Sequence, residues 1–175
     1  PFAREIGGRM HVFAHNGRLE PLMQPLATPT PRFRPLGDTD SERAACLLFE
    51  VMAQLWAGEA VPTPARRRAA VSEFAAAMRV HGPANFLYSD GEFLYAHGHR
   101  RTQADGRIAP PGLWVLQRHC AVDRDALPQA GIRLETGAGP QSLVLIASIP
   151  LTEEGWRPLA EGELLVAGAG DIVSG

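Results

Sequence analysis

The chain has 175 residues, the size of one ordinary domain. Apolar residues make up 45% and charged residues 21% of it, so a packed core is expected and wholesale disorder is not. Its 17 basic and 19 acidic side chains leave a net charge of −2, which argues against a nucleic-acid or membrane-surface binder, since these carry a basic excess. No apolar run reaches the length of a membrane span. The two cysteines fit a reducing cytoplasm, where we expect the protein to reside.

The front of the chain predicts one strand and a long loop. Residues 9–14 are short and apolar-rich, and Asn16-Gly17 follows them, which is typical of a strand that ends in a tight turn. Residues 21–37 contain five prolines and predict a long ordered loop. A loop of this length within one domain often has a functional role.

Two helices are predicted next. Thr39 and Glu42 have the spacing of a capping box, in which Thr39 accepts from the third helical N–H and Glu42 reaches back to the capping residue. Asp40 adds negative charge to the first turn, where it is favourable. Apolar residues at helical spacing then extend this helix to about Trp56. A second helix is predicted over 65–80, ended by a Gly-Pro pair.

The rest of the chain predicts antiparallel strands. Residues 85–88 and 92–97 flank Ser89-Asp90-Gly91, which is a hairpin signal. Further strands are predicted at 112–118, 141–148 and 163–167. The order of strand, two helices and several strands predicts an α+β fold with helices packed on a sheet.

Four stretches together resemble the type-2 (class II) glutamine amidotransferases, and specifically their stand-alone branch. They are Phe13–Gly17 (FAHNG), Gly37–Glu42 (GDTDSE), Asn85–Gly91 (NFLYSDG) and Ile146–Trp156. The family belongs to the N-terminal-nucleophile hydrolases, so the resemblance implies an αββα sandwich of antiparallel sheets with flanking helices. It spans most of the chain.

The resemblance also implies a chemistry and the residues for it. In the family an N-terminal Cys attacks the side-chain amide of glutamine, releases ammonia and leaves a γ-glutamyl thioester. By resemblance, the Asn16 side-chain NH2 and the Gly17 N–H form the oxyanion hole, and Asp40 binds the substrate α-ammonium. His15 and Thr39 are expected beside the site in supporting roles. The substrate is glutamine or a γ-glutamyl compound, and no metal or organic cofactor is implied.

The chain departs from the family pattern at its start. Residue 1 is Pro rather than the nucleophilic Cys, and the family's substrate-clamping Arg has no counterpart here. We therefore expect residues 1–175 to be the C-terminal two thirds of a single domain that cannot hydrolyse glutamine alone. Exposed sheet edges would then favour a homo-oligomer or a complementing chain. A catalytically inactive relative that binds an amino acid or a partner protein is the alternative.

Cysteine, histidine and arginine residues outside these stretches offer alternative sites for catalysis or binding. Cys46 lies among apolar residues of the first helix and is expected to be a buried thiol. Cys120 adjoins His119, but neighbouring strand residues face opposite sides, which disfavours a catalytic pair. His97-Gly98-His99 could bind a metal, although no third ligand is evident. Arg66-Arg67-Arg68 begins a helix and is expected to be a solvated surface, with a phosphate or acidic-partner contact as the minority interpretation.

Overall fold

A computed structural model describes residues 1–20, 31–58, 60–120 and 141–173 of the chain. The helices are α1 (Asp40–Leu55) and α2 (Pro64–Arg79). The strands are β1 (Phe2–Ile6), β2 (Arg9–Asn16), β3 (Asn85–Ser89), β4 (Leu94–His97), β5 (Arg101–Thr102), β6 (Ile108–Ala109), β7 (Trp114–Cys120), β8 (Gln141–Ala147), β9 (Arg157–Pro158), β10 (Leu164–Gly168) and β11 (Asp171–Ile172). The predicted α+β class is thus confirmed. No helix in the described part of the chain is long and apolar enough to cross a membrane.

The central element is a six-stranded antiparallel sheet in the order β1-β2-β3-β4-β10-β11. Its register places Phe13 opposite Tyr88, Tyr88 opposite Tyr95 and Tyr95 opposite Val166. Because side chains on a strand alternate between faces, these four residues form a continuous apolar row on one side of the sheet. The row fixes the register of the strands that carry the site, since a one-residue slip would turn it outward.

The two faces of this sheet are covered by different layers. The aromatic row packs against α1 and α2 in the larger core, which includes Phe49, Met52 and Phe74. On the opposite face, Ala96 and Leu165 pack in a second core with residues of the three-stranded sheet β8-β7-β9. The described residues therefore build a helix layer, a six-stranded sheet and a three-stranded sheet. β5 and β6 form a separate two-stranded sheet.

The turn predicted after the first strand is wrong in its placement. β2 pairs with β1 in a hairpin whose turn contains Gly7 and Gly8, with φ of 60° and 81°. Such positive φ values are what a tight hairpin turn requires. Asn16-Gly17 does not connect paired neighbouring strands, and the chain instead leaves the sheet there. The short strand β1 was not predicted.

Of the two hydrogen bonds that the predicted capping box at α1 requires, the one to Thr39 is confirmed and the one to Glu42 is wrong. Thr39 caps the helix by accepting from the Glu42 N–H at 3.2 Å. The Glu42 carboxylate, however, accepts from the N–H groups of Leu36 (3.0 Å) and Gly37 (2.8 Å) rather than from Thr39. These hydrogen bonds lower the pKa of Glu42 below its ordinary value. Glu42 therefore ties the preceding loop to the helix.

The predicted Pro-rich loop is described only from residue 31 onward, and residues 21–30 lie outside the described residues. Residues 31–37 contain neither helix nor strand. The Phe33 N–H donates to the Glu50 carboxylate at 2.6 Å, and Phe33 packs edge-on against Phe49. This end of the loop is thus held along α1.

The prediction that Arg66-Arg67-Arg68 forms a solvated surface is wrong for Arg67. Arg66 and Arg68 are exposed, but Arg67 is only 2% exposed. Its guanidinium donates to Asp90 at 3.0 Å and to Glu92 at 3.1 Å, and it stacks over the Phe93 ring. A buried carboxylate in the β3–β4 turn recruits the cation, so one side of α2 is pinned to the sheet.

Candidate functional site

The Asn16–Gly17 step, where β2 ends, is the centre of the candidate site. Gly17 has a φ of 156°, and a Cβ placed on it would lie 2.0 Å from the Pro83 carbonyl oxygen. No side chain fits in that space, so only glycine allows this close approach of two backbones. Both Asn16 and Gly17 are exposed. Their polar groups therefore lie at an accessible surface, with one flank closed by Pro83.

The Asn16 side chain is oriented by a hydroxyl from a distant strand. Its Nδ2 donates to Ser148 Oγ at 2.9 Å, just beyond the end of β8. An amide NH2 group carries two hydrogens, and Ser148 accepts one of them. The second hydrogen is available for an acceptor outside this pair.

Asp40 joins the start of α1 to the segment that follows Gly17. Its Oδ2 accepts from the Leu19 N–H at 2.7 Å, and its Oδ1 accepts from the Ser41 N–H at 2.7 Å. Burial raises the pKa of Asp40, but these two hydrogen bonds and the nearby His15 lower it by more, so it lies below its ordinary value. Asp40 is therefore an ionised carboxylate at neutral pH.

His15 lies between the helix start and the α2–β3 loop. Its Nε2 is 3.1 Å from the Pro83 carbonyl oxygen, and its Nδ1 is 2.9 Å from Ser41 Oγ. A carbonyl can only accept, which assigns a proton to Nε2, whereas Nδ1 pairs with the Ser41 hydroxyl. Both ring nitrogens are thus engaged within the protein.

The structure brings four of the five predicted site residues together. One segment carries His15, Asn16 and Gly17, and Asp40 binds it at Leu19, two residues beyond Gly17. Thr39 is the exposed N-cap of α1, and its side chain bonds Glu42 rather than this segment.

Sequence reasoning missed the residues that hold this segment in place. They are Ser41, Pro83, Asn85 and Ser148. Ser41, Asn85 and Ser148 do lie within stretches that carried the resemblance, and this was the one signal that could have singled them out.

The described cysteine and histidine side chains outside this segment do not form a second reactive centre. Cys46 is 2% exposed inside α1, and burial raises the pKa of its thiol. Cys120 ends β7, and its side chain lies outside the described residues. His97 Nδ1 bonds the Ala84 carbonyl, His99 Nδ1 accepts from the Ala84 N–H, and burial lowers the pKa of His97 to about 4. No group of three or more metal-ligating side chains occurs in the described part of the chain.

Comparisons with known proteins agree on one family. The family model described as "Glutamine amidotransferases class-II" matches residues 1–175. A protein of Escherichia coli (strain K12) named "Putative glutamine amidotransferase YafJ" is 33% identical over 169 residues, covering 93% of this chain and 60% of that relative. A protein of Haemophilus influenzae named "Putative glutamine amidotransferase" is 31% identical over 164 residues, covering 93% of this chain and 51% of that relative.

A solved structure gives the same result for the fold. The crystal structure of a protein from Pseudomonas aeruginosa PA01, described as a "predicted glutamine amidotransferase", superposes with a TM-score of 0.78 at 28% identity. It covers 100% of this chain and 64% of that one. The chain thus spans between 51% and 64% of the length of these relatives.

Proposed function

The chain belongs to the class-II glutamine amidotransferase family, and we propose that it supplies the oxyanion hole and the substrate-ammonium site of a glutamine-hydrolysing domain. The substrate is glutamine or a γ-glutamyl conjugate, and the products from glutamine are glutamate and ammonia. The observation that carries the proposal is the hydrogen bond from the Leu19 N–H to Asp40, because it fixes an ionised carboxylate beside the Asn16–Gly17 step.

In the proposed reaction a cysteine thiolate from outside residues 1–175 attacks the γ-amide carbon. The new S–C bond places negative charge on the former carbonyl oxygen, and the Asn16 Nδ2 and the Gly17 N–H donate to it. The general base that took the proton of the thiol returns it to the nitrogen, so that collapse of this intermediate breaks the C–N bond and ammonia leaves. Water then hydrolyses the thioester to glutamate and restores the thiol. Cys46 is not assigned the nucleophile role, since it is buried within α1.

Asp40 is proposed to bind the α-ammonium of the substrate. The carboxylate is ionised and already oriented by two N–H groups. Its Oδ1 also accepts from Ser41 Oγ at 3.3 Å, whereas Oδ2 has one partner and retains a further lone pair. His15 is assigned a supporting role rather than that of a base, because Pro83 and Ser41 occupy both of its nitrogens. Thr39 contributes indirectly, by capping the helix that presents Asp40.

We further propose that residues 1–175 act within one domain located in the cytoplasm, and that a second copy or a complementing chain assembles with them. The shared cores of the two sheets and the helices support the single domain. The small number of cysteines supports the reducing compartment.

The proposal is tested on the complete gene product, by measuring glutamate release from glutamine with Asp40→Asn. Asparagine keeps the size of the side chain and one acceptor for the Leu19 N–H, but it loses the charge. A charge-assisted hydrogen bond contributes about 1.5–3 kcal/mol, so we expect KM for glutamine to rise about 10- to 100-fold. Asp38→Asn, an exposed carboxylate two residues earlier, is the matched control and should leave KM unchanged.

The outcomes separate the proposal from its alternative. Unchanged glutamine kinetics in Asp40→Asn would remove Asp40 from the site. Calorimetric binding of glutamine by the wild-type gene product without any turnover would instead favour the inactive amino-acid-binding relative. Absence of both binding and turnover would refute the proposed function.

A further inference from the structure

Asn85 is a buried polar residue at the start of β3, and both the nitrogen and the oxygen of its side-chain amide are hydrogen-bonded. It is 1% exposed and lies opposite Asn16 in the register of β2 and β3. Its Nδ2 donates to the Asn16 carbonyl oxygen at 3.1 Å and to the Arg100 carbonyl oxygen at 2.6 Å. Its Oδ1 accepts from the His99 N–H at 2.8 Å. These three partners determine which end of the amide is nitrogen and which is oxygen.

The space around this amide is closed. A Cβ on Gly112 would lie 1.7 Å from Asn85 Oδ1, so the backbone of Gly112 packs directly against the side chain. A longer side chain would not fit here. Aspartate has the right shape but would turn an oxygen toward two carbonyl oxygens, which repel it.

The contact with Asn16 reaches the proposed oxyanion donor through one peptide unit. The Asn16 carbonyl and the Gly17 N–H belong to the same planar trans peptide, in which the oxygen and the hydrogen point in opposite directions. Holding the oxygen on Asn85 therefore sets the direction in which the Gly17 N–H points. Donation to a carbonyl also polarises the amide and makes its N–H a stronger donor. Pro83 closes the other flank of Gly17, so the Asn16–Gly17 peptide plane is held in one orientation.

We propose that Asn85 is a positioning residue for the oxyanion hole, acting through the Asn16–Gly17 peptide. The proposal rests on the proposed function, since it requires the Gly17 N–H to bind the developing negative charge. That charge is present only in the tetrahedral intermediate and its flanking transition states. Loss of Asn85 should therefore lower kcat and leave substrate binding intact.

The test uses Asn85→Asp in the complete gene product, assayed below the melting temperature of every variant. We expect kcat for glutamine to fall about 10- to 100-fold with KM within about twofold. A second measurement uses two inhibitors. The γ-aldehyde analogue of glutamine forms a tetrahedral thiohemiacetal with the nucleophile and should bind about 10- to 100-fold less tightly, whereas glutamate should bind equally well. A purely structural role would not separate the two inhibitors.

Arg67→Ala is the control. Arg67, on α2, is also a buried polar partner of the β3–β4 hairpin, but it binds Asp90 in the turn, at the opposite end of β3 from Asn85. It should melt at a lower temperature and keep the wild-type ratio of the two inhibition constants. If Asn85→Asp does not fold, the smaller and uncharged Asn85→Ser enters the same comparison. Failure of both to fold would overturn the proposal in favour of a structural role.

The remaining outcomes distinguish this inference from the function on which it rests. A wild-type gene product that neither binds nor hydrolyses glutamine refutes the proposed function itself. An active wild type together with Asn85 variants that keep kcat, or that lose affinity for both inhibitors equally, refutes only the role of Asn85.

Discussion

Replacing Gly17 with alanine tests how tightly the proposed oxyanion donor is built into the fold. The added Cβ would lie 2.0 Å from the Pro83 carbonyl oxygen, whereas real Cβ atoms keep at least 3.0 Å. The two backbones must therefore separate by about 1 Å, the difference between these distances. Misplacement of a catalytic group by about 1 Å lowers the rate about 100-fold. We expect kcat for glutamine to fall by about that factor in the complete gene product.

The same substitution should also destabilise the protein. Overpacking costs about 1–3 kcal/mol, and in a domain of this size each kcal/mol lowers the melting temperature by about 2–4 °C. Gly8→Ala is the matched control, because Gly8 also has a positive φ, of 81°, but has no atom within 4 Å of the added Cβ. It should lower the melting temperature without changing kcat.

The assay couples glutamate release to glutamate dehydrogenase, and calorimetry gives the melting temperature. We expect the loss of kcat in Gly17→Ala to exceed the loss in Gly8→Ala by about two orders of magnitude. Equal kcat values for these two variants would refute this expectation, because the Pro83 contact would then have no bearing on the chemistry.

Two further substitutions test the packing around the site. Arg67→Ala leaves a buried carboxylate without its cation and should lower the free energy of unfolding, measured with denaturant, by about 3–5 kcal/mol. The exposed Arg66→Ala is the control and should change it by less than about 0.5 kcal/mol. Equal stabilities of the two variants would contradict the burial of this ion pair. Ser148→Ala removes the acceptor that orients the Asn16 amide and should lower kcat about 2- to 10-fold, the worth of one neutral hydrogen bond. Ser142→Ala, within β8 and bonded to His119, is its control, and kcat values that match in the two serine variants would count against the orienting role.

The helices and most strands could be predicted from the sequence because their signals are local. The Thr39 cap lies at the start of α1, the helix that it predicts. The turn residues around Asp90 lie between β3 and β4, the two strands of the hairpin that they predict. The bounds of both helices and of the predicted strands lie within two residues of their expected positions. The strands β5, β6, β9 and β11 have two residues each and were missed, since two residues carry no periodicity, and the five-residue β1 was missed as well.

The burial of Arg67 could not be predicted, because its partner lies 23 residues away in another element. A basic run at a helix start carries the same local signal whether its middle residue faces solvent or a buried carboxylate. Only the packing of α2 on the β3–β4 turn decides between them. The same holds for the Glu42 carboxylate, whose spacing fits a capping box although it accepts from two N–H groups of the preceding loop.

The candidate site shows the same division between local and remote information. The resemblance named Asn16, Gly17 and Asp40, whose side chains and backbone carry the proposed chemistry. The groups that orient them come from far along the chain: Asn85 is 69 residues from Asn16, and Ser148 is 132 residues from it. These contacts depend on strand register, which a single sequence does not specify.

Asp40 links the stability of this region to its proposed chemistry. Two backbone N–H groups hold its carboxylate and lower its pKa, so the charge is oriented before any substrate arrives. The conformational entropy of the Asp40 side chain is therefore lost when the protein folds, and not when the substrate binds. An incoming ammonium needs only the remaining lone pair of Oδ2 and no rearrangement of the segment that bears Asn16 and Gly17.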